Sequence, residues 1–253
     1  MHWRLLEDQS YNAAMNMAID ESIYESVAFG KQRPTIRFYK WKNNSVSLGA
    51  FQNQNEINLE ECKKNNVEVV RRITGGRAVY HDKVDFTYSV IAPIKIFDNS
   101  VSNAYKEICS WIIDSLNDLG IKSKLQNKND VMVDAGKISG NAAKLMENGI
   151  YLQHGTLVYD IDFELMPKVL NISKEMAEKK IASVLKFKKI NSYEVYESLK
   201  NNFIKDKIVT IEKLSKDELK RAKELVKTKY NSIEVDKDVL LRNKGACYVL
   251  GGN

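Results

Sequence analysis

Apolar residues recur at helical spacing at Met15, Ala18, Ile19 and Ile23, which predicts a first helix from about residue 12 to about residue 28. Thr35 to Trp41 then reads as a strand, Asn43-Asn44 as a turn and Ser45 to Leu48 as the neighbouring strand. Asn58-Leu-Glu-Glu61 has the form of a capping box that opens a short surface helix carrying Cys62. Val67 to Arg72 is a strand that runs into two adjacent glycines, and Asp85 to Ala92 alternates Phe86, Tyr88 and Val90 on one face. Tyr105, Ile108, Cys109, Ile112, Leu116 and Leu119 form a helical stripe that stops at Gly120, a residue suited to the left-handed C-terminal cap. Val131 to Val133, Asp134 to Gly136 and Lys137 to Asn141 read as strand, turn and strand. Asn148-Gly149 turns the chain into a further strand from Tyr151 to Tyr159. From about residue 162 the pattern is mainly helical, and Ser215 and Glu218 box the start of an amphipathic helix bearing Leu219, Ala222, Val226 and Tyr230. Strands dominate the first part and helices fall among them irregularly, an α+β pattern rather than a βαβ alternation.

Composition narrows this picture. The 253 residues, 43% hydrophobic with only three prolines and twelve glycines, fit one large domain or one domain with a small appendage, and contain no long linker. No apolar run is long enough to span a bilayer and the N-terminus has no signal-peptide pattern, so the expectation is a cytoplasmic protein with no membrane partner. Cys62, Cys109 and Cys247 are far apart and odd in number, which suggests neither a disulfide framework nor a zinc site. A net charge of +6 favours acidic partners or nucleotides without identifying a nucleic-acid binder. Lysines such as Lys186, Lys188 and Lys189 read first as a solvated surface.

Two segments carry candidate chemistry. Arg71 to Asp82, Arg-Arg-Ile-Thr-Gly-Gly-Arg-Ala-Val-Tyr-His-Asp, sets Arg71, Arg72 and Arg77 around Gly75 and Gly76. Guanidinium forks match phosphate and carboxylate oxygens, and glycines let backbone N–H groups approach an anion. No Gly-Lys-Ser/Thr follows, so this is not a P-loop. The second segment is Asn129-Asp130-Val131 with Lys137 to Ala142. Here Lys137 follows a hairpin turn, with Ser139 and Asn141 expected on its face of the strand.

Together with Gln153-His-Gly-Thr-Leu157, these motifs resemble the lipoate–protein ligase family of the biotin/lipoate ligase superfamily. Lys180 to Val184 resembles that family's adenylate-binding loop, and Asn16 to Glu21 and Ile36 to Tyr39 also match. The resemblance covers most of the chain to about residue 200. It implies a class II synthetase-like domain, a mixed sheet flanked by helices, over residues 1–253. It further implies an enzyme that converts lipoate or octanoate and ATP, with Mg²⁺, into an acyl-adenylate. The acyl group then goes to a lysine of lipoyl carrier domains, such as 2-oxoacid dehydrogenase E2 components or the glycine-cleavage H protein. By the same resemblance Lys137 is catalytic. Arg71, Gly75, Gly76, Arg77, Ala78, His81, Lys137 and Ser183 hold the nucleotide, with Asp130 as a metal ligand. Val79, Tyr80, Gly140, His154 and Gly155 line the acyl site, with Leu157 and Phe38 as further apolar candidates.

The sequence departs from the ligase pattern in two places. Arg77 replaces the third glycine of the ligases' usual run, a feature more familiar in the related octanoyl- and lipoyl-transferases, which use a cysteine acyl-enzyme and no ATP. Such an enzyme needs a reachable thiol near Lys137, and no cysteine lies between Cys109 and Cys247. Ligases with an attached accessory domain are also longer, so the expectation is the large catalytic domain alone, with activation served by a separate accessory protein. A nucleic-acid-binding domain is a further alternative. The spaced motifs and the lack of a continuous basic-aromatic strip argue against it. Gly245 to Gly252 has no physical reading.

Overall fold

Side chains cap the helices where the sequence sets Asn or Ser ahead of an apolar stripe. Asn12 accepts from the Met15 amide at 2.9 Å and Ser100 from that of Asn103 at 3.2 Å. Asn58 accepts from Glu61 N at 3.0 Å, which is one half of the predicted box. At Ser215 both halves form: its hydroxyl accepts from Glu218 N at 3.1 Å, and Glu218 accepts from Ser215 N at 2.9 Å. In this computed structural model residues 1–233 are described, so Cys247 and the Gly245 to Gly252 stretch lie outside them.

The elements in the first part are β1 (His2–Tyr11), α1 (Ala13–Ala28), β2 (Thr35–Trp41), β3 (Ser45–Leu48), α2 (Leu59–Lys64), β4 (Glu68–Arg71), β5 (Val79–His81) and β6 (Phe86–Pro93). Then come α3 (Val101–Asp118), β7 (Lys124–Gln126), β8 (Asp130–Val133), β9 (Gly136–Leu145) and β10 (Ile150–Leu157). The remainder is α4 (Met166–Leu170), α5 (Lys174–Lys180), α6 (Val184–Phe187), α7 (Ser192–Ile204), β11 (Ile208–Glu212) and α8 (Lys216–Leu225). Among the described residues no helix is long and apolar enough to cross a membrane.

Eight strands form one mixed sheet, β11-β1-β2-β6-β10-β9-β8-β7, and three form a second, β4-β3-β5. The α+β expectation holds, with one correction. Ser45–Leu48 does not pair with Thr35–Trp41; it is the centre of the small sheet, parallel to β4 and antiparallel to β5. Its four residues are all buried, so it carries no alternation that would tie it to a neighbour. After residue 162 the elements are mainly helices, and β11 joins the large sheet beside β1. β1 itself is buried on both faces and includes a buried arginine, so it has no clean polar–apolar period.

One face of the large sheet carries the main apolar core. Phe86, Tyr88, Val90 and Ala92 alternate onto Ile108, Ile112 and Leu116 of α3 and Phe203 of α7. Each such buried side chain contributes about 1.5–3 kcal/mol. The other face packs α1 and α8, and the small sheet lies over it through Trp41, which stacks on His81 at 4.1 Å. Arg4 of β1 meets Glu218 of α8 through two bonds of 2.9 and 2.6 Å, with both side chains fully buried, so the capping glutamate also docks the last helix.

Candidate functional site

The glycine loop is built from inside by Arg72 rather than Arg71. Arg72 is buried and donates to Ser47 O at 2.7 Å, Gly75 O at 2.7 Å and Arg77 O at 2.8 Å. Burial pushes its pKa down to about 10, so it keeps its charge at neutral pH. With those carbonyls drawn inward, the backbone N–H groups of Gly75, Gly76, Arg77 and Ala78 donate to nothing among the described residues. This is the arrangement of an anion-binding nest. Gly76 has φ +91°, and a Cβ on Gly49 would stand 1.8 Å from Gly76 O, so β3 and the loop touch backbone to backbone.

Beneath the loop runs a buried polar chain. Thr74 Oγ1 is 2.6 Å from His154 Nε2, and His154 Nδ1 is 3.3 Å from Asp20 Oδ2. The carboxylate can only accept, so Nδ1 donates to it. Asp20 also accepts from Arg37 at 2.6 Å and from Ser89 at 2.9 Å. Burial alone would raise the Asp20 pKa, but Arg37 and His154 outweigh it and hold the carboxyl below its ordinary range.

Several side chains that the motifs offer as ligand contacts lie in the interior. His154 is buried beneath Thr74. His81 has both ring nitrogens engaged, with Ser47 Oγ at 2.8 Å and Thr156 Oγ1 at 3.1 Å. Burial, then the Arg72 charge, keeps its pKa well below the usual value, so it orders the loop as a neutral ring. Arg71 donates to the carbonyls of Gly49 and Gln52 at 2.7 Å each, and to that of Ile233 at 2.9 Å. Tyr80 points into the cluster with Met166 and Val169, away from the loop, and Leu157 and Phe38 belong to the main core. Ser183 is buried at the start of α6. Val79 alternates with Tyr80 and so shares the His81 side of β5. Arg77 is the exposed member of the loop, 3.8 Å from Glu56.

On the neighbouring strand a bulge changes the expected face of Lys137. Val131 pairs with Ser139 but Met132 with Lys137, which leaves Ile138 as the extra residue. Lys137 therefore does not share a face with Ser139 and Asn141. Its Nζ lies over Gly140, 3.7 Å from where a Cβ would stand, and 3.4 Å from Asp130 Oδ1. Asn141 turns to the apolar side, accepts from Tyr88 OH and donates to Asn129 O at 2.9 Å. Gly155 makes room for it, since a Cβ there would be 2.0 Å from Asn141 Oδ1. A bulge leaves no mark in a two-residue alternation, and Gly49, Thr74 and Asp20 are too ordinary in sequence to have been singled out.

Gly140 pairs with Thr156, two residues from His154, so the Lys137 ammonium over Gly140 and the His154 anchor beneath the loop stand on one face of the sheet. The backbone of Lys137 is fixed by Ala182, whose N–H donates to Lys137 O at 2.9 Å. An amide nest and a half-exposed ammonium on one sheet face can hold a charged group between them.

The family model for the lipoyl protein ligase A/B catalytic domain matches residues 12–210. The chain belongs to this family. By sequence it is 31% identical to "Octanoyltransferase LipM" of Brevibacillus brevis, over 92% of this chain and 97% of that protein. Among solved structures it is similar to lipoate-protein ligase A bound with ATP, with a TM-score of 0.80, 29% identity, and coverage of 92% and 97%. It is equally similar to the bipartite lipoate protein ligase of Thermoplasma acidophilum, described with its E2 lipoyl domain, at a TM-score of 0.81, 29% identity, and coverage of 93% and 96%. The fold is thus that of the lipoate ligases, and the chain is an enzyme of the lipoate ligase and acyltransferase family.

Proposed function

We propose that this chain activates lipoate or octanoate with ATP and passes the acyl group to a lysine of a lipoyl carrier domain. The observation that carries this reading is the pairing of the Gly75–Ala78 amide nest with the Lys137 ammonium on one sheet face, with no thiol on the Lys137 hairpin. In the first step a carboxylate oxygen attacks the α-phosphorus, an acyl–O–P bond forms, and pyrophosphate leaves. Charge developing on the non-bridging oxygens meets the loop amides, the exposed Arg77 and Lys137. In the second step the neutral amine of the carrier lysine attacks the acyl carbon. The C–N bond forms, AMP leaves as an anion, and the amine's proton passes to solvent. The fixed charge of Lys137 favours both departures.

Asp130 is a single carboxylate, and no group of three His, Cys, Asp or Glu side chains suited to a metal occurs among the described residues. It fits Mg²⁺ only as one ligand, with phosphate oxygens and water supplying the rest. When bound, the ion would neutralise phosphate charge.

Relatives named as octanoyltransferases favour a second reading, acyl transfer without ATP. It needs an activated thiol. Cys62 is the buried residue of the surface helix α2, and burial pushes its pKa up to about 11. Cys109 is buried on the opposite, apolar side of the sheet and pushed up to about 12. Cys247 lies outside the described residues.

Pyrophosphate release with lipoate and ATP, with and without an accessory protein, tests the proposal. Release is expected, and Lys137→Ala should lower both adenylation and transfer by roughly a hundredfold or more while leaving the melting temperature unchanged. No release in either condition, together with ATP-free transfer from octanoyl carrier protein that Cys247→Ala abolishes, would establish the second reading instead.

A further inference from the structure

Two stretches flanking Lys137 contain no Asp or Glu at all, residues 119–129 and 179–193. The fold brings both beside the candidate site. The first includes β7, the free edge of the large sheet, two strands from β9. The second is pinned to Lys137 through the Ala182 amide, and Lys180 O would lie 2.6 Å from a Cβ on Gly136. Lys188 Nζ reaches Leu119 O at 3.3 Å, which joins the two stretches into one rim.

Lys124, Lys128, Lys180, Lys186, Lys188 and Lys189 are exposed on this rim, and none has a carboxylate within ion-pair distance among the described residues. Other parts of the surface do hold ion pairs: Lys200 meets Glu197 at 2.7 Å, Lys229 meets Glu21 at 2.8 Å, and Arg221 meets Glu25 at 2.7 Å. What sets the rim apart is that neither of its two stretches supplies an acidic residue to offset its lysines. Phe187 stands in the middle of the lysines with 41% of its surface exposed, an apolar anchor within a charged border.

We propose that this rim is the docking surface for the acyl acceptor, a small acidic domain whose target lysine is ringed by carboxylates. The identity of the partner rests on the acyl-transfer reading above. Lys137 is the half-exposed group at the open side of the site, so a domain that delivers an amine there must cover the rim. An ordinary surface lysine carries its own positive charge and is repelled by these ammonium groups. A lysine flanked by Asp and Glu is drawn in, and like-charge rejection of other lysines supplies selectivity.

The test measures binding of the full chain to a purified acidic E2 lipoyl domain by calorimetry at low and high salt. One variant carries Lys186→Glu, Lys188→Glu and Lys189→Glu, and a second carries Lys124→Glu and Lys128→Glu. A control carries Lys205→Glu and Lys213→Glu, beside the opposite sheet edge. Each rim variant should weaken low-salt binding about tenfold or more, with the difference shrinking as salt rises. The control should bind as wild type, and circular dichroism melting confirms that all variants fold. Lipoate-dependent ATP–pyrophosphate exchange is run on the same proteins and should stay within about twofold of wild type, since these lysines do not hold the nucleotide. Unchanged affinity in the rim variants overturns the proposal, as does an equal loss in the control. It also falls if the rim binds an oligonucleotide and not the lipoyl domain. Charge-dependent binding without exchange in wild type leaves the docking surface standing and sinks only the ATP-dependent reading.

Discussion

Both faces of the large sheet carry an apolar cluster, but only one also holds a buried ionic chain. Toward α3 and α7, Tyr88, Phe203, Ile108 and Ile112 fill space with carbon, and Tyr88 meets Phe203 edge to face at 4.7 Å. Toward the small sheet the interior is polar: Arg37, Asp20, His154, Thr156 and His81 are buried and bonded to one another or to the loop. An apolar face tolerates imperfect packing at modest cost. A buried ionic chain does not, because each member left alone is an uncompensated charge or dipole. The face that holds the candidate site is therefore the one whose geometry is most tightly specified.

The sharpest way to break that contrast is Asp20→Ala, which removes the buried carboxylate that accepts from Arg37, Ser89 and His154. It should cost about 3–5 kcal/mol, against about 0.5–1.5 kcal/mol for Ile112→Val on the apolar side. Denaturant unfolding of both variants gives the comparison, and equal losses would erase it.

Gly49→Ala comes next. Its Cβ would lie 1.8 Å from Gly76 O, a backbone atom, so the loop must move. About 1–3 kcal/mol of destabilisation is expected, with a drop in pyrophosphate release larger than the stability loss explains.

A pH series sharpens the contrast further. The folded His81 ring resists protonation, so below pH 6.5 the unfolded chain takes up a proton that the folded chain does not. Stability should be full above that pH and fall as pH drops, by up to about 1.4 kcal/mol per unit. His81→Gln should flatten this slope in urea titrations at successive pH values. Asp20, with its lowered pKa, acts in a separate window, and its contribution disappears only as pH falls below 3.8.

The smallest effect belongs to Arg77→Ala. That side chain is 90% exposed and its partner Glu56 is 3.8 Å away. The melting curve should change by less than about 0.5 kcal/mol, while KM for ATP rises if the arginine meets phosphate.

Much of this molecule is readable along the chain because local rules agree with the final fold. The α3 stripe, the Phe86 to Val90 alternation and the Ser215–Glu218 box each appear in the structure as the spacing predicts. The anion loop was visible as a cluster of arginines and glycines, but the division of labour within it was not. Arg71 and Arg72 are adjacent and chemically identical, and only packing makes Arg72 the interior brace and leaves Arg71 on peripheral carbonyls. His81 and His154 show the same limit, since nothing in a sequence says that a histidine's two nitrogens are already engaged.

Sequence alone determined many of the elements, the family and the presence of a guanidinium–glycine loop and a distant lysine, because these rest on residue type and short-range periodicity. Tertiary structure decided which face Lys137 occupies, since one bulged residue at Ile138 inverts the alternation. It also decided that Ser45–Leu48 builds a second sheet and that lysines from two remote stretches form a single rim. Each of these depends on contacts between segments far apart in the chain, where spacing along the backbone carries no information about distance in space.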